Sequence, residues 1–296
     1  MSSTVPISTM PPETTNAFAT EAITHYTPRA SQYDAGNGGW HAVLGHDFKT
    51  WQPPPPGGAI LDLACGTGLV TLPYAEAVGL EGIVIGIDVT EAMLDEARRK
   101  PSSKAAAKPE WIQADITELS KVANVNQVKS ERGGFDIISC CSALVLLEDP
   151  GHAIKHWATF LKTGGKMIID IPTEDRTLQY LFTMPLRKAL GQAYNHDRGW
   201  VKDIHTLERL YEEAGLEVER SFRTKSYTPE KLFDKDDAME VFEEYSTTMY
   251  KWMRRDPELL ERARQAWPQL WNESLDKQGN FRDGHRLYVT IGRRKE

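Results

Sequence analysis

Cysteine is scarce in this sequence: Cys65, Cys140 and Cys141 are the three in 296 residues, and none stands in a Cys-x-x-Cys pair. That pattern supports neither a disulfide framework nor a cysteine-ligated zinc site, and it fits a reducing compartment. No HExxH or comparable helical motif offers histidine ligands, so no metal is expected. Basic residues are in deficit too, 35 Lys and Arg against 42 Asp and Glu, for a formal net charge of -7. An acidic chain gains little by neutralising phosphates, which argues against nucleic acid as a partner. Long apolar runs are missing: none reaches the ~20 residues that span a bilayer, and the N-terminus lacks a basic region followed by an apolar stretch. The expected location is therefore cytoplasmic, with no membrane partner.

What is present divides the chain into parts. Residues 1–16, rich in Ser, Thr and Pro, carry too little apolar surface to offset their ordering entropy and read as a flexible tail. Apolar and aromatic residues return over 17–58, the expected N-terminal helical lid, which closes on the run Pro53-Pro54-Pro55-Pro56-Gly57-Gly58. From 59 to 296 short apolar runs at 59–64, 83–88, 111–113, 135–141 and 166–171 predict strands, and 70–78, 90–100, 151–161 and 203–214 predict helices. Strands apolar on both faces between amphipathic helices indicate an α/β fold, a largely parallel sheet covered on both sides. Residues 286–291 alternate as a last, antiparallel strand would. Two stretches fall outside the alternation, 173–202 and 228–284; their aromatics follow helical spacing with no strand, as lid insertions would.

In such a sheet, ligands bind beyond the carboxyl ends of the strands. There the sequence places Asp62-Leu63-Ala64-Cys65-Gly66-Thr67-Gly68, whose glycines allow a tight turn and close approach of a ligand, while Asp62 can face an ammonium group. Asp88 ends the next strand about 20 residues on, the separation at which an acid accepts ribose hydroxyls. Asp115 follows the third strand, in position to bond an exocyclic amine, with Ile116 beside it to hold the base. Thr71 stands where a dinucleotide fingerprint wants a third small residue, so the loop suits a cofactor without a pyrophosphate.

These segments resemble the motifs of the class I S-adenosyl-L-methionine (SAM)-dependent methyltransferases. Residues Ile60 through Gly68 are similar to the family's first motif, Gly86-Ile87-Asp88-Val89-Thr90-Glu91-Ala92-Met93-Leu94 to its ribose motif, and Gln113-Ala114-Asp115 to its adenine motif. Phe135-Asp136-Ile137-Ile138-Ser139-Cys140 is similar to its fourth strand, and 161–169 to the turn into its fifth. Upstream, Tyr33-Asp34 with Asn37 and Gly39-Trp40-His41 resembles the leader of the ubiquinone and menaquinone methyltransferases and of fungal secondary-metabolite relatives. The resemblance implies a Rossmann-like, doubly wound, mostly parallel sheet of seven strands, with SAM as cofactor. It also implies cofactor contacts at Tyr33, Asp62, Ala64, Gly66, Gly68, Asp88, Val89, Met93, Asp115, Ile116 and Cys140, Tyr33 closing the methionine end. Ala64 stands where the family's commonest loop has its first glycine.

Methyl transfer from a sulfonium chiefly requires alignment and exclusion of water. An oxygen acceptor also benefits from a base, and histidine suits that role near neutral pH. His196, in the insertion after the fifth strand, is the candidate; its competing reading is a surface histidine. His25 and His41, in the leader, come next. His152 and His156 share a helical face and read as surface or packing residues. Phe182, Trp200, Phe242, Tyr245, Met249 and Trp252 would line an acceptor pocket or form the lid's own core. The resulting expectation is methylation of an apolar small molecule, a secondary metabolite or quinone-like compound, on oxygen. A SAM-binding cyclase on the same scaffold and a SAM-binding regulatory protein are the alternatives.

Overall fold

The computed structural model describes residues 16–175, 177–192, 198–248, 253–254 and 256–295. Its centre is a seven-stranded sheet. The first five strands are β1 (Ala59–Leu63), β2 (Ile83–Asp88), β3 (Glu110–Gln113), β4 (Phe135–Cys140) and β5 (Leu161–Pro172). After them come β6 (Leu216–Arg223), the short β7 (Lys231–Asp234) and β8 (Asn280–Asp283), and β9 (Leu287–Arg294). The sheet order is β3-β2-β1-β4-β5-β9-β6, parallel from β3 to β5, with β9 antiparallel to both its neighbours. This is the doubly wound arrangement expected, and its direction of winding reverses between β1 and β4. A crevice opens at such a reversal.

Every residue of β1 is buried because apolar layers cover both faces. One layer packs Leu61, Leu63, Ile85 and Ile87 against Ile154, Trp157 and Tyr211; the other packs Ile60, Val84 and Ile168 against Leu44, Phe48 and Tyr74. The leader is helical: α1 (Ala17–Tyr26), two short 3-10 segments (Thr27–Gln32 and Gly36–Gly39), then α2 (Trp40–Trp51). Apolar residues at Trp40, Leu44 and Phe48, four apart, form the buried stripe of α2. Gly45 lies on that face, and a Cβ there would come 2.1 Å from the Leu69 carbonyl oxygen. Glycine thus lets α2 rest directly on the loop after β1.

The remaining helices are α3 (Thr71–Val78), α4 (Glu91–Arg99), α5 (Ala123–Arg132), α6 (Pro150–Ala158), α7 (Leu178–Thr183), α8 (Pro185–Ala189), α9 (Thr206–Glu213), α10 (Ala238–Thr248) and α11 (Pro257–Asn272). Helices α7, α8, α10 and α11 enclose a third apolar cluster of their own, in which Phe182 stacks on Trp267 with ring centroids 4.3 Å apart. The insertion 228–284 is not purely helical as expected, because β7 and β8 pair antiparallel within it. Among the described residues, no helix is long and apolar enough to cross a membrane.

Candidate cofactor and acceptor cavity

A cavity of about 320 Å³ opens at the carboxyl ends of β1, β2, β3 and β4, within the ~300–1,000 Å³ common for small-molecule sites. Its walls run from Asp115, Ile116 and Thr117 past Asp88, Val89, Thr90 and Met93 to Ala64, Gly66, Cys141 and Ser142. A smaller chamber of about 40 Å³ adjoins it, sharing Tyr33, Ala64, Gly66 and Cys141 and adding His41 and Asp62.

The loop after β1 turns on left-handed residues: Ala64 at φ 52, Gly66 at φ 54 and Gly68 at φ 81. The backbone at Ala64 thus explains why related loops carry glycine there; alanine holds that conformation at a cost of about 1–2 kcal/mol. Asp88 pins the turn, accepting from the Gly66 N–H at 2.8 Å and from the Thr90 N–H at 2.8 Å. Since the Gly66 amide is bonded to Asp88, it is not presented to a phosphate, in keeping with a cofactor that lacks a pyrophosphate. Burial raises the Asp88 pKa despite those hydrogen bonds.

Asp62 is buried and accepts from the hydroxyls of Thr71 at 2.5 Å and Ser139 at 2.8 Å. Desolvation lifts its pKa to about 6 against the opposing effect of those bonds. Asp115 accepts from the Thr117 N–H at 2.9 Å and from the Asn16 side-chain amide at 3.2 Å. Asn16 also caps α1, its side-chain oxygen accepting from the Ala19 N–H at 2.8 Å. A Trp157 indole bond to the Ile116 carbonyl, 2.8 Å, fixes the next residue of that wall.

The leader forms the cover. Phe18, Ala19, Ala22 and Tyr26 face the cavity at helical spacing along α1. Asp34 ties the cover down, accepting from the Thr67 hydroxyl at 2.5 Å and pairing with Lys100 Nζ at 2.5 Å. Tyr33 lies 5.0 Å from the His41 ring, centroid to centroid, and borders both chambers. His41 stacks on Trp40 at 3.7 Å, and its Nδ1 is buried with no hydrogen-bond partner among the described residues; desolvation lowers its pKa to about 4.

Several expected positions lie elsewhere. Gly68 borders neither chamber: a Cβ there would stand 2.5 Å from Trp111, so its missing side chain serves the indole instead of a ligand. Cys140 points into the core, and its neighbour Cys141 borders both chambers, because β4 alternates sides as it leaves the sheet. His25 is exposed on α1, beside Arg29 and off the face that meets the cavity. Phe182 is buried in the lid's own core, and Trp200 packs against the main core. His196, Met249 and Trp252 lie outside the described residues. His152, which its spacing assigns to surface or packing, is on the cavity rim with Asp149, Leu146 and Leu147. The helical spacing of 18, 19, 22 and 26 was the signal available for the cover; nothing in the residue types marked Cys141 or Ser142. Among the described residues, no three His, Cys, Asp or Glu side chains are grouped to hold a metal.

Residues 60–165 match the family model described as a methyltransferase domain. Over 178 residues the chain is 28% identical to demethylmenaquinone methyltransferase of Bacillus cereus strain ATCC 10987, covering 55% of this chain and 71% of that protein. Magnesium protoporphyrin IX methyltransferase from Synechocystis PCC 6803, solved with bound SAM, is similar with a TM-score of 0.50 at 19% identity, covering 72% of this chain and 94% of that one. The 4+2 cyclase SpnF is similar with a TM-score of 0.57 at 16% identity, covering 94% and 97%. At these identities the solved structures establish the fold.

Proposed function

Because this chain is a class I SAM-dependent methyltransferase, we propose that it methylates an apolar small molecule, a secondary metabolite or quinone-like compound, on oxygen. The observation that carries the reading is the single cavity in which Asp115, Asp88 and the loop at Ala64 and Gly66 follow one another beneath an apolar cover. In this reading Asp115 and Ile116 hold the adenine, Asp88 accepts the ribose hydroxyls, and Val89 and Met93 pack against the adenosine. Tyr33, Ala64, Gly66 and Asp62 enclose the amino-acid end. SAM supplies a methyl carbon activated by its sulfonium. The protein aligns the acceptor with that carbon and keeps water out.

An apolar acceptor suits a space walled by Phe18, Ala22, Tyr26, Leu146 and Leu147. The acceptor is assigned to the leader and the loop before α6, since no described residue of the two insertions borders the cavity. The named activity of the Bacillus cereus relative, on demethylmenaquinone, is in line with a ring-bearing apolar acceptor. The test is incubation with methyl-labelled SAM and a panel of phenols, quinols, carboxylic acids and amines, read by mass spectrometry. Label on an apolar hydroxyl is expected. Efficient label on a protein lysine or an RNA base, with none on the small molecules, would overturn the acceptor assignment.

A further inference from the structure

Two non-glycine residues among those described have positive φ, Ala64 and Ser142 at φ 55, and both border the main cavity. Ala64 belongs to the loop after β1. Ser142 follows β4, and a serine persists in a left-handed conformation only where its surroundings over-determine it. The group that does so is Asp170 on β5. Its Oδ1 accepts from the Ser142 N–H at 2.8 Å, and its Oδ2 lies 3.4 Å from the Ser142 hydroxyl.

Asp170 is itself 1% exposed and borders neither chamber. Asp170 also accepts from the Cys141 thiol, and among the described residues Cys140 at the end of β4, Tyr211 on α9 and Tyr227 beyond β6 sense its charge. No cation is among these groups, and burial raises the Asp170 pKa to about 7. A carboxyl placed there is costly, and packing alone would be served better by an apolar residue.

We propose that Asp170 is a positioning residue for methyl transfer: it anchors Ser142 in its left-handed turn and so sets the wall, Cys141 and Ser142, where the cofactor's reactive end meets the acceptor. The proposal rests on reading the cavity as the SAM site. Cys141 is the residue common to both chambers on this wall, so release of the turn displaces the surface that both chambers share.

The test is calorimetric titration of the full chain with S-adenosylhomocysteine, the demethylated product. Asp170→Ala removes the anchor and is expected to weaken binding about tenfold, the value of one such turn released. Adding Ser142→Gly to that variant should restore affinity to within about threefold of the native chain, because glycine adopts positive φ without an anchor. Asp170→Asn keeps an oxygen for the Ser142 N–H and should bind nearly as the native chain does. Undiminished binding in Asp170→Ala, or a loss that Ser142→Gly does not recover, would overturn the proposal. Should Asp170→Ala fail to fold, the double variant decides: near-native affinity supports the anchor, and weak binding or failure to fold refutes it. Asp88→Ala, run alongside, separates the two readings. If it too leaves affinity unchanged, the cavity assignment falls; if it alone weakens binding, only the role of Asp170 does.

Discussion

Gly68→Ala is expected to damage stability, although Gly68 belongs to the loop that the sequence marks for the cofactor. Trp111 on β3 stands directly opposite Gly86 in the β2 register. Lacking a Cβ, Gly86 lets the indole lie across β2, where a Cβ would come within 2.9 Å of it, and the far edge of the ring reaches Gly68. A methyl at Gly68 would stand 2.5 Å from Trp111 Cη2, and Gly86 beneath blocks the ring from swinging inward. Two costs add. A left-handed alanine, required by φ 81, costs about 1–2 kcal/mol, and overpacking against the half-buried indole costs about 1–3 kcal/mol. The sum, about 2–5 kcal/mol, is a large part of the ~5–15 kcal/mol that holds a typical domain together. Urea denaturation should show the midpoint falling with little change in slope. In a Trp111→Leu background the same substitution should cost only the backbone part, about 1–2 kcal/mol. A loss below about 0.5 kcal/mol in the native background, or an equal loss in both backgrounds, would refute the reasoning.

Asp34→Ala removes both the Thr67 bond and the Lys100 pair that fasten the leader; amide exchange over 17–51 should quicken, and unchanged exchange would show that the cover is held by other contacts. Acid lability should involve His41. Its pKa is depressed to about 4 by burial, so the unfolded chain binds the proton first. The stability it contributes is present above about pH 6.5 and is lost as pH falls toward 4, on the order of 2 kcal/mol. His41→Gln should flatten that part of the urea stability profile, and an unaltered profile would contradict the assignment.

Much of the sheet was legible because its central strands are buried on both faces, which writes continuous apolar runs at β1, β2 and β4. The strand β6 leaves no apolar signature, because Glu217, Glu219 and Arg220 interrupt its pattern, as suits an edge strand bonded on one side to β9. β7 and β8 are four residues each and pair across the intervening α10 and α11, a contact that no local periodicity reports. At the cavity, Asp62, Asp88 and Asp115 stand out in the sequence because each lies at the end of a predicted strand. The exchange of Cys140 for Cys141 depends on the strand's parity at its exit, where a one-residue change reverses every side chain. The sequence cannot distinguish the use of Gly68, since a missing Cβ looks alike whether a cofactor or an indole fills the space. Asp170 escaped because a lone acid in an apolar strand has no spacing partner; its partner Ser142 is 28 residues away.

The central claim is that SAM occupies the cavity defined by Asp115, Asp88 and the loop at Gly66, and calorimetric titration of SAM into the native chain, Gly66→Val and Asp88→Ala tests it most directly. Saturable binding is expected for the native chain. Asp88→Ala should weaken it by about 1.5–3 kcal/mol, the value of a charge-assisted hydrogen bond, or roughly tenfold to a hundredfold. Gly66→Val should weaken it as well, since even a Cβ at Gly66 would press on Met93 Cε at 3.3 Å, beside the space assigned to the cofactor. Native affinity in both folded variants would contradict the account.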